Sequence, residues 1–177
     1  RHMMTFGLKH WQQEQAKNFL KLIRRINNMT RGFQVVRNNA RTTDVEIQLP
    51  VRSDPRSAGY DFYSPVDIVI PPNEDRLFFT DVKAYMEDDE VLMLYVRSSM
   101  GKAHVVIANG TGIIDSSYYN NPDNDGNIGF RLLNLGKEDY VIHRGDRIGQ
   151  GVFMKYLITD DDNATGDRTG GFGSSGR

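Results

Sequence analysis

The chain has 177 residues, a formal net charge of −1 and no cysteine. Its length suits one domain with a sizeable core, and the missing thiols exclude a disulfide scaffold, a thiolate zinc site and a cysteine nucleophile. Hydrophobic residues at 38% and charged residues at 25% argue against disorder and against membrane insertion. The longest apolar run, Val91 to Val96, is too short to cross a bilayer or to serve as a signal-peptide core, so no membrane partner and a cytoplasmic location are expected. A net charge near zero sets up no field to gather nucleic acid, and no nucleic acid partner is expected. A bound polyanion must be held by a few arginines, backbone amides or a metal.

The opening Arg1-His2-Met3 reads as a cloning remnant. Trp11, Phe19, Leu22, Ile23 and Ile26 then recur at helical spacing, which predicts an amphipathic helix over His10 to Asn27. Residues 1–29 are expected to be an extension without chemistry of its own, packed on the domain or on a neighbouring subunit. From Arg31 the period changes to two. Val45, Ile47, Leu49 and Val51 alternate with polar residues, as do Val66, Ile68 and Ile70, then Ile128, Phe130 and Leu132. Ile148, Gln150, Val152 and Met154 follow on one expected face. Turn signals at Pro71-Pro72-Asn73, Glu87 to Glu90, Asn124-Asp125-Gly126 and Arg144-Gly145-Asp146 separate them. Many short strands without intervening helices predict an all-β domain over residues 30–158, a jelly-roll-like antiparallel barrel carrying an N-terminal helical extension.

Several pieces stand out from this framework. Ser57 to Asp61 places a glycine and a carboxylate at the edge of a strand. Arg97-Ser98-Ser99 follows the apolar strand and offers a guanidinium and two hydroxyls suited to phosphate oxygens, or else a plain capped turn. Asn109 to Tyr119 combines two glycines, which admit close approach of a ligand, with the carboxylate of Asp115 and the ring of Tyr118 three residues on. A carboxylate at such a rim can orient or deprotonate a water; the plainer alternative is a hairpin whose polar residues face solvent. Gly145 to Gln150 reads on its own as a turn with a local ion pair. Asp123 to Asn127 fails as a calcium loop, because Ile128 stands where the sixth-position glycine belongs, and reads as a solvated hairpin tip. The acidic residues 87–90 and 160–162 read as solvated turns. Residues 159–177 collapse to Thr, Asp, Asn, Gly and Ser around Arg168 and Phe172 and are expected to be a flexible Gly-rich tail. Its phenylalanine suits stacking on a flat ring and its arginine suits an anion. An inert tail or a weakly RNA-binding patch are the alternatives.

Taken in order, Ala58 to Asp61, Arg97 to Ser99, Asn109 to Tyr118, Gly145 to Gln150 and the tail around Phe172 resemble the five motifs of the trimeric dUTPase family. Each is weak alone, but the five in series are specific. The resemblance implies a homotrimer with shared active sites. Motifs one, two and four would come from one chain, motif three from the second and the tail from the third, closing over the site. It implies Mg²⁺-assisted hydrolysis of dUTP to dUMP and pyrophosphate, which keeps uracil out of DNA and supplies dUMP. By the match, Asp115 is the general base on the water that attacks the α-phosphorus, and Asp61 reaches the metal through water. Arg97, Ser98 and Ser99 bind phosphate, Gln150 acts with Asp61 through the waters of the metal on the substrate, Asn109 and the backbone near Gly112 read the uracil edge, and Tyr118 lies under the deoxyribose. Arg168, Phe172, Gly173 and Ser174 bind substrate from the tail.

Three departures accompany the match. Arg168 and Phe172 are one residue closer than the commonest family spacing, the hairpin after Tyr118 is longer, and Gly149 stands where alanine is usual. A dCTP deaminase of the same fold is an alternative, but Arg131 occupies the strand position where its glutamate base is expected. A non-catalytic protein- or RNA-binding module is the other.

Overall fold

The computed structural model describes residues 29–166 together with Gln15 and Gly170. The helix expected over 10–27 (Gln15 apart) and the tail residues Arg168, Phe172, Gly173 and Ser174 lie outside these residues. The fold described here is that of the unit Phe33–Arg177. It is all-β and jelly-roll-like, as the alternating pattern predicts.

Four strands form the larger sheet in the order β2 (Tyr60–Tyr63), β11 (Arg147–Lys155), β6 (Glu90–Tyr95), β8 (Gly112–Asp115), antiparallel throughout. Facing it is the antiparallel sheet β4 (Asp75–Phe79), β9 (Gly129–Asn134), β7 (Val105–Ile107). Two smaller pairs, β3 (Ile68–Ile70) with β10 (Tyr140–Ile142) and β1 (Gly32–Val35) with β5 (Val82–Tyr85), complete it. The one short α-helix among the described residues, α1 (Ser98–Lys102), follows β6.

The core lies between the two larger sheets. Phe62 of β2 meets Phe130 of β9 with ring centroids 5.5 Å apart, and Phe130 stacks on Phe78 of β4 at 6.5 Å. Leu92, Leu94, Ile128, Leu132 and Ile148 fill the remaining space, all essentially inaccessible. Burying each such side chain contributes about 1.5–3 kcal/mol, and this face of each strand is what the period-two pattern encodes.

Four sequence expectations are corrected. Residues 45–48 alternate in exposure, and Ile47 packs on the core, but Leu49 and Val51 are exposed and 45–50 form no strand; only Val51 makes an isolated bridge, to Asp61. Alternation reports which side chains face inward and says nothing about whether a partner strand is present. Ile148 does not share a face with Gln150, Val152 and Met154, because the register slips between Arg147 and Gly149. That bulge turns Ile148 into the core together with Gly149 and Gly151. The acidic turn ends on Glu90, which is buried in β6 and accepts the Glu87 amide hydrogen at 3.2 Å.

The last correction concerns the loop at 121–127, which is no solvated tip. Asn121, Asp125 and Asn127 are all buried. Asp125 receives Lys83 Nζ at 2.8 Å and the Arg37 amide at 2.8 Å. Asn127 Nδ2 donates to Asp81 at 2.9 Å, and Asp81 also accepts from the Thr42 and Thr43 amides at 2.8 and 3.1 Å. Burial of these polar groups is tolerated because each has found partners.

Gly149 is held to glycine by the facing sheet. A Cβ there would stand 2.4 Å from the Phe130 ring, and a core ring cannot retreat without moving its neighbours. Gly149→Ala is expected to destabilise the fold by about 1–3 kcal/mol, read by denaturant unfolding. Adding Phe130→Leu, which opens space for the methyl, should recover part of the loss; a double variant less stable than both singles would show that the two positions do not compete for one volume.

Candidate active site

Three of the sequence motifs converge. The Asp54 carboxylate accepts the amide hydrogens of Arg56 and Ser57 at 2.8 and 3.1 Å, closing the turn that delivers Gly59 and Asp61 to the start of β2. Its acidity is raised accordingly: the Ser57 hydroxyl first, then the Arg56 amide, hold the carboxyl below the ordinary carboxylate value. In the sheet, Asp61 lies opposite Gln150, and Gln150 lies opposite Tyr95, two residues before Arg97.

The bulge in β11 decides the geometry. Arg147 and Gln150 are three apart and would point to opposite faces of a regular strand. With the slip, Arg147 pairs with Tyr63 and Gln150 with Asp61, residues two apart on β2 that share the face away from the core. Arg147 Nη1 and Arg97 Nε then donate to the two oxygens of Asp61, at 3.3 and 3.0 Å. The Asp61 side chain is only 12% exposed. Gln150 lies over Gly59, where a Cβ would stand 2.2 Å from its Oε1, and its Nε2 donates to the Val96 carbonyl at 3.4 Å. Ser98 and Ser99 are exposed in the first turn of α1, which buried Met100 anchors. Tyr140 sits at the margin; burial, then the charge of Asp146, raises its phenol above the usual value, with Arg97 pulling the other way.

Motif three stands apart. Gly110 turns the chain at φ 79°, and Gly112 lies against Leu94, whose Cβ would be 2.9 Å from an added methyl. Asn109, Gly112, Ile113, Tyr118 and Arg131 line a pocket of about 190 Å³. Tyr118 is 3% exposed, its ring at once a core residue and a pocket wall, and its hydroxyl donates to the Asn127 carbonyl at 2.8 Å. Asp115 is exposed at the end of β8, opposite Val91. Val91 precedes Tyr95 by four residues, which is ~13 Å along the strand, and the rows of β2 and β8 are three strand spacings apart, ~14 Å. One chain therefore gathers Asp61, Arg97, Arg147 and Gln150 but leaves Asp115 at a distance.

Arg147 was missed as a site residue. Its expected local pairing with Asp146 does not form: Asp146 accepts the His143 amide hydrogen at 2.8 Å instead, while the guanidinium turns to Asp61. The signal was an arginine on the same short motif as Gln150, which only the bulge makes meaningful. The asparagines around Tyr118 were missed too, being read as solvated.

Known proteins share this chain's sequence and fold. Residues 45–176 match the dUTPase family model. A Lactococcus lactis protein named deoxyuridine 5'-triphosphate nucleotidohydrolase is 44% identical over 149 residues, covering 82% of this chain and 97% of its own length. The rat enzyme of the same name is 36% identical over 133 residues, covering 72% of this chain and 62% of the relative. The crystal structure of dUTPase from Streptococcus mutans superposes with a TM-score of 0.65 at 38% identity, over 73% of this chain and 98% of that one.

The chain belongs to the dUTPase family. It is thus a nucleotide-hydrolysing enzyme by kinship. Among the described residues, no three His, Asp or Glu side chains gather into a set that could hold a metal ion, and both Asp61 oxygens already receive guanidiniums. These residues fit Mg²⁺ only as an ion seated on phosphate oxygens and reached through water, the mode that this strongly hydrated cation favours.

Gly59→Ala isolates the Gln150 contact. The added methyl meets the far end of a flexible side chain, so the fold should survive with its melting temperature nearly unchanged. The carboxamide must swing away, and kcat/KM for nucleotide hydrolysis is expected to fall about tenfold, the worth of one well-placed hydrogen bond. Unchanged kinetics would show that Gln150 is not needed where Gly59 lets it lie.

Proposed function

We propose that this chain hydrolyses dUTP to dUMP and pyrophosphate in sites shared among three copies. The observation that carries this reading is the separation within one chain of Asp115 from the Asp61, Arg97 and Gln150 cluster. A base ~13 Å along and ~14 Å across the sheet cannot serve a phosphate held at that cluster, whereas a second copy can bring its own hairpin there.

In such a site Asn109 and the backbone near Gly112 pair with the uracil edge, and the buried Tyr118 ring underlies the deoxyribose. A site built for one donor–acceptor pattern rejects analogues that leave its polar groups unpaired by ~10⁴ or more. Arg97, Ser98, Ser99 and Gln150 hold the phosphate chain. An incoming phosphate competes with Asp61 for the Arg97 guanidinium, and the carboxylate thereby becomes available to the water shell of Mg²⁺. That ion, when bound, neutralises charge on the phosphate oxygens. Asp115 takes the proton of the water that attacks the α-phosphorus, so that the bond to the bridging oxygen breaks and pyrophosphate leaves. Residues 159–177 form the closing tail, with Phe172 over the base and Arg168, Gly173 and Ser174 on the phosphates. Residues 1–29 remain an extension outside this chemistry. A deaminase reading is disfavoured because the Arg131 guanidinium is paired with Asp75 at 3.0 Å and offers no base.

Asp115→Asn is expected to preserve the fold and dUTP binding while hydrolysis falls ~10²–10⁴-fold; normal turnover would exclude Asp115 as the base. Deleting residues after Ile158 should leave an assembled, nearly inactive oligomer by sedimentation and pyrophosphate release. Full activity in that variant would remove the tail from the site. An active species that sediments as one chain would end the shared-site reading.

A further inference from the structure

The loop after the motif-three strand grips Tyr118 at both ends. Asn121 Nδ2 donates to the Tyr118 carbonyl at 3.0 Å and to Asn124 Oδ1 at 2.8 Å. Asn124 Nδ2 donates to the Tyr118 hydroxyl at 2.7 Å, and that hydroxyl donates onward to the Asn127 carbonyl at 2.8 Å. Asn121 Oδ1 accepts the Asp123 and Asn124 amide hydrogens at 3.0 and 3.1 Å, which fixes the loop itself. Gly126, at φ 83°, brings the backbone so close that a Cβ would stand 2.7 Å from the Tyr118 carbonyl oxygen. The residue is anchored at its backbone and at its hydroxyl, and it lines the pocket.

A pocket wall rejects an added hydroxyl only as firmly as it resists moving, and an apolar wall does this weakly, by ~10² at best. Tying down the ring tip removes the motion that would make room. We propose that Asn124, itself held by Asn121, is a positioning residue for sugar discrimination: it stiffens Tyr118 so that the pocket refuses a ribose 2′-hydroxyl. This rests on the reading of the pocket as the nucleoside seat.

The test measures kcat and KM for dUTP and UTP, with the melting temperature, in the parent, Asn124→Ala, Tyr118→Phe and the double variant. Tyr118→Phe keeps the ring and removes only the anchored hydroxyl. The preference for dUTP in kcat/KM is expected to fall about tenfold in each single variant, mainly through a lower KM for UTP. The double variant should lose no more than Tyr118→Phe alone, because both changes act through one hydroxyl. Asn134→Ala serves as a control: that residue is buried and bridges the Ile70 and Glu138 carbonyls, so its loss should lower the melting temperature and leave the preference alone. A preference within twofold of the parent in Tyr118→Phe overturns the proposal, as do additive losses in the double variant. If Asn124→Ala does not fold, Tyr118→Phe decides by itself. Failure of the nucleoside seat is separately visible, as a Tyr118→Ala variant that discriminates as well as the parent.

Discussion

One carboxylate ties three distant segments of the chain together. Asp61 is the second residue of β2, Arg97 lies between β6 and α1, and Arg147 opens β11; the acid receives both guanidiniums while its own side chain is 12% exposed. The two arginines are far more open, at 27% and 47%, so solvent screening reduces what each pair is worth. The asymmetry still matters. A carboxylate with so little access to water would be left uncompensated if both cations departed, so the cluster can exchange partners only with a set of charges that leaves the acid compensated. Backbone register imposes the same meeting independently, since Gln150 is flanked by Asp61 and Tyr95 across the sheet.

Much of the fold was legible because burial on one face of a strand leaves its mark at every second residue. Phe130 and Leu132 alternate with solvent-facing neighbours and sit in the core as expected. Prolines before an asparagine, and a glycine before an aspartate, marked the turns at Asn73 and Gly145, both at positive φ. The motifs were legible as local chemistry too, and Asp61, Arg97 and Gln150 do meet. What period-two reading could not reveal was the bulge at Ile148, because one slipped residue leaves composition untouched and reverses every facing that follows. Nor could it reveal the missing partner of residues 45–50, since pairing depends on what lies alongside.

The loop at 121–127 failed for a different reason. Asn, Asp and Gly are the residues of exposed turns, and they are equally the residues that satisfy each other when a turn folds inward. Asp81, 0% exposed, accepts from two amides and a carboxamide, and Lys83 reaches both Asn120 and Asp125. Such a network gains little net free energy over water, but its many mutual contacts favour one arrangement. It thereby holds the loop in register behind Tyr118, in a region where apolar packing alone would allow several.

The contact between Gly149 and Phe130 limits which changes this strand can accept. The space that a methyl on β11 would take is filled from the opposite sheet by an aromatic ring. An alanine here calls for a smaller neighbour across the core, whereas glycine leaves room for either. With the ring in place, the strand bearing Gln150 is committed to a residue with no side chain beside it.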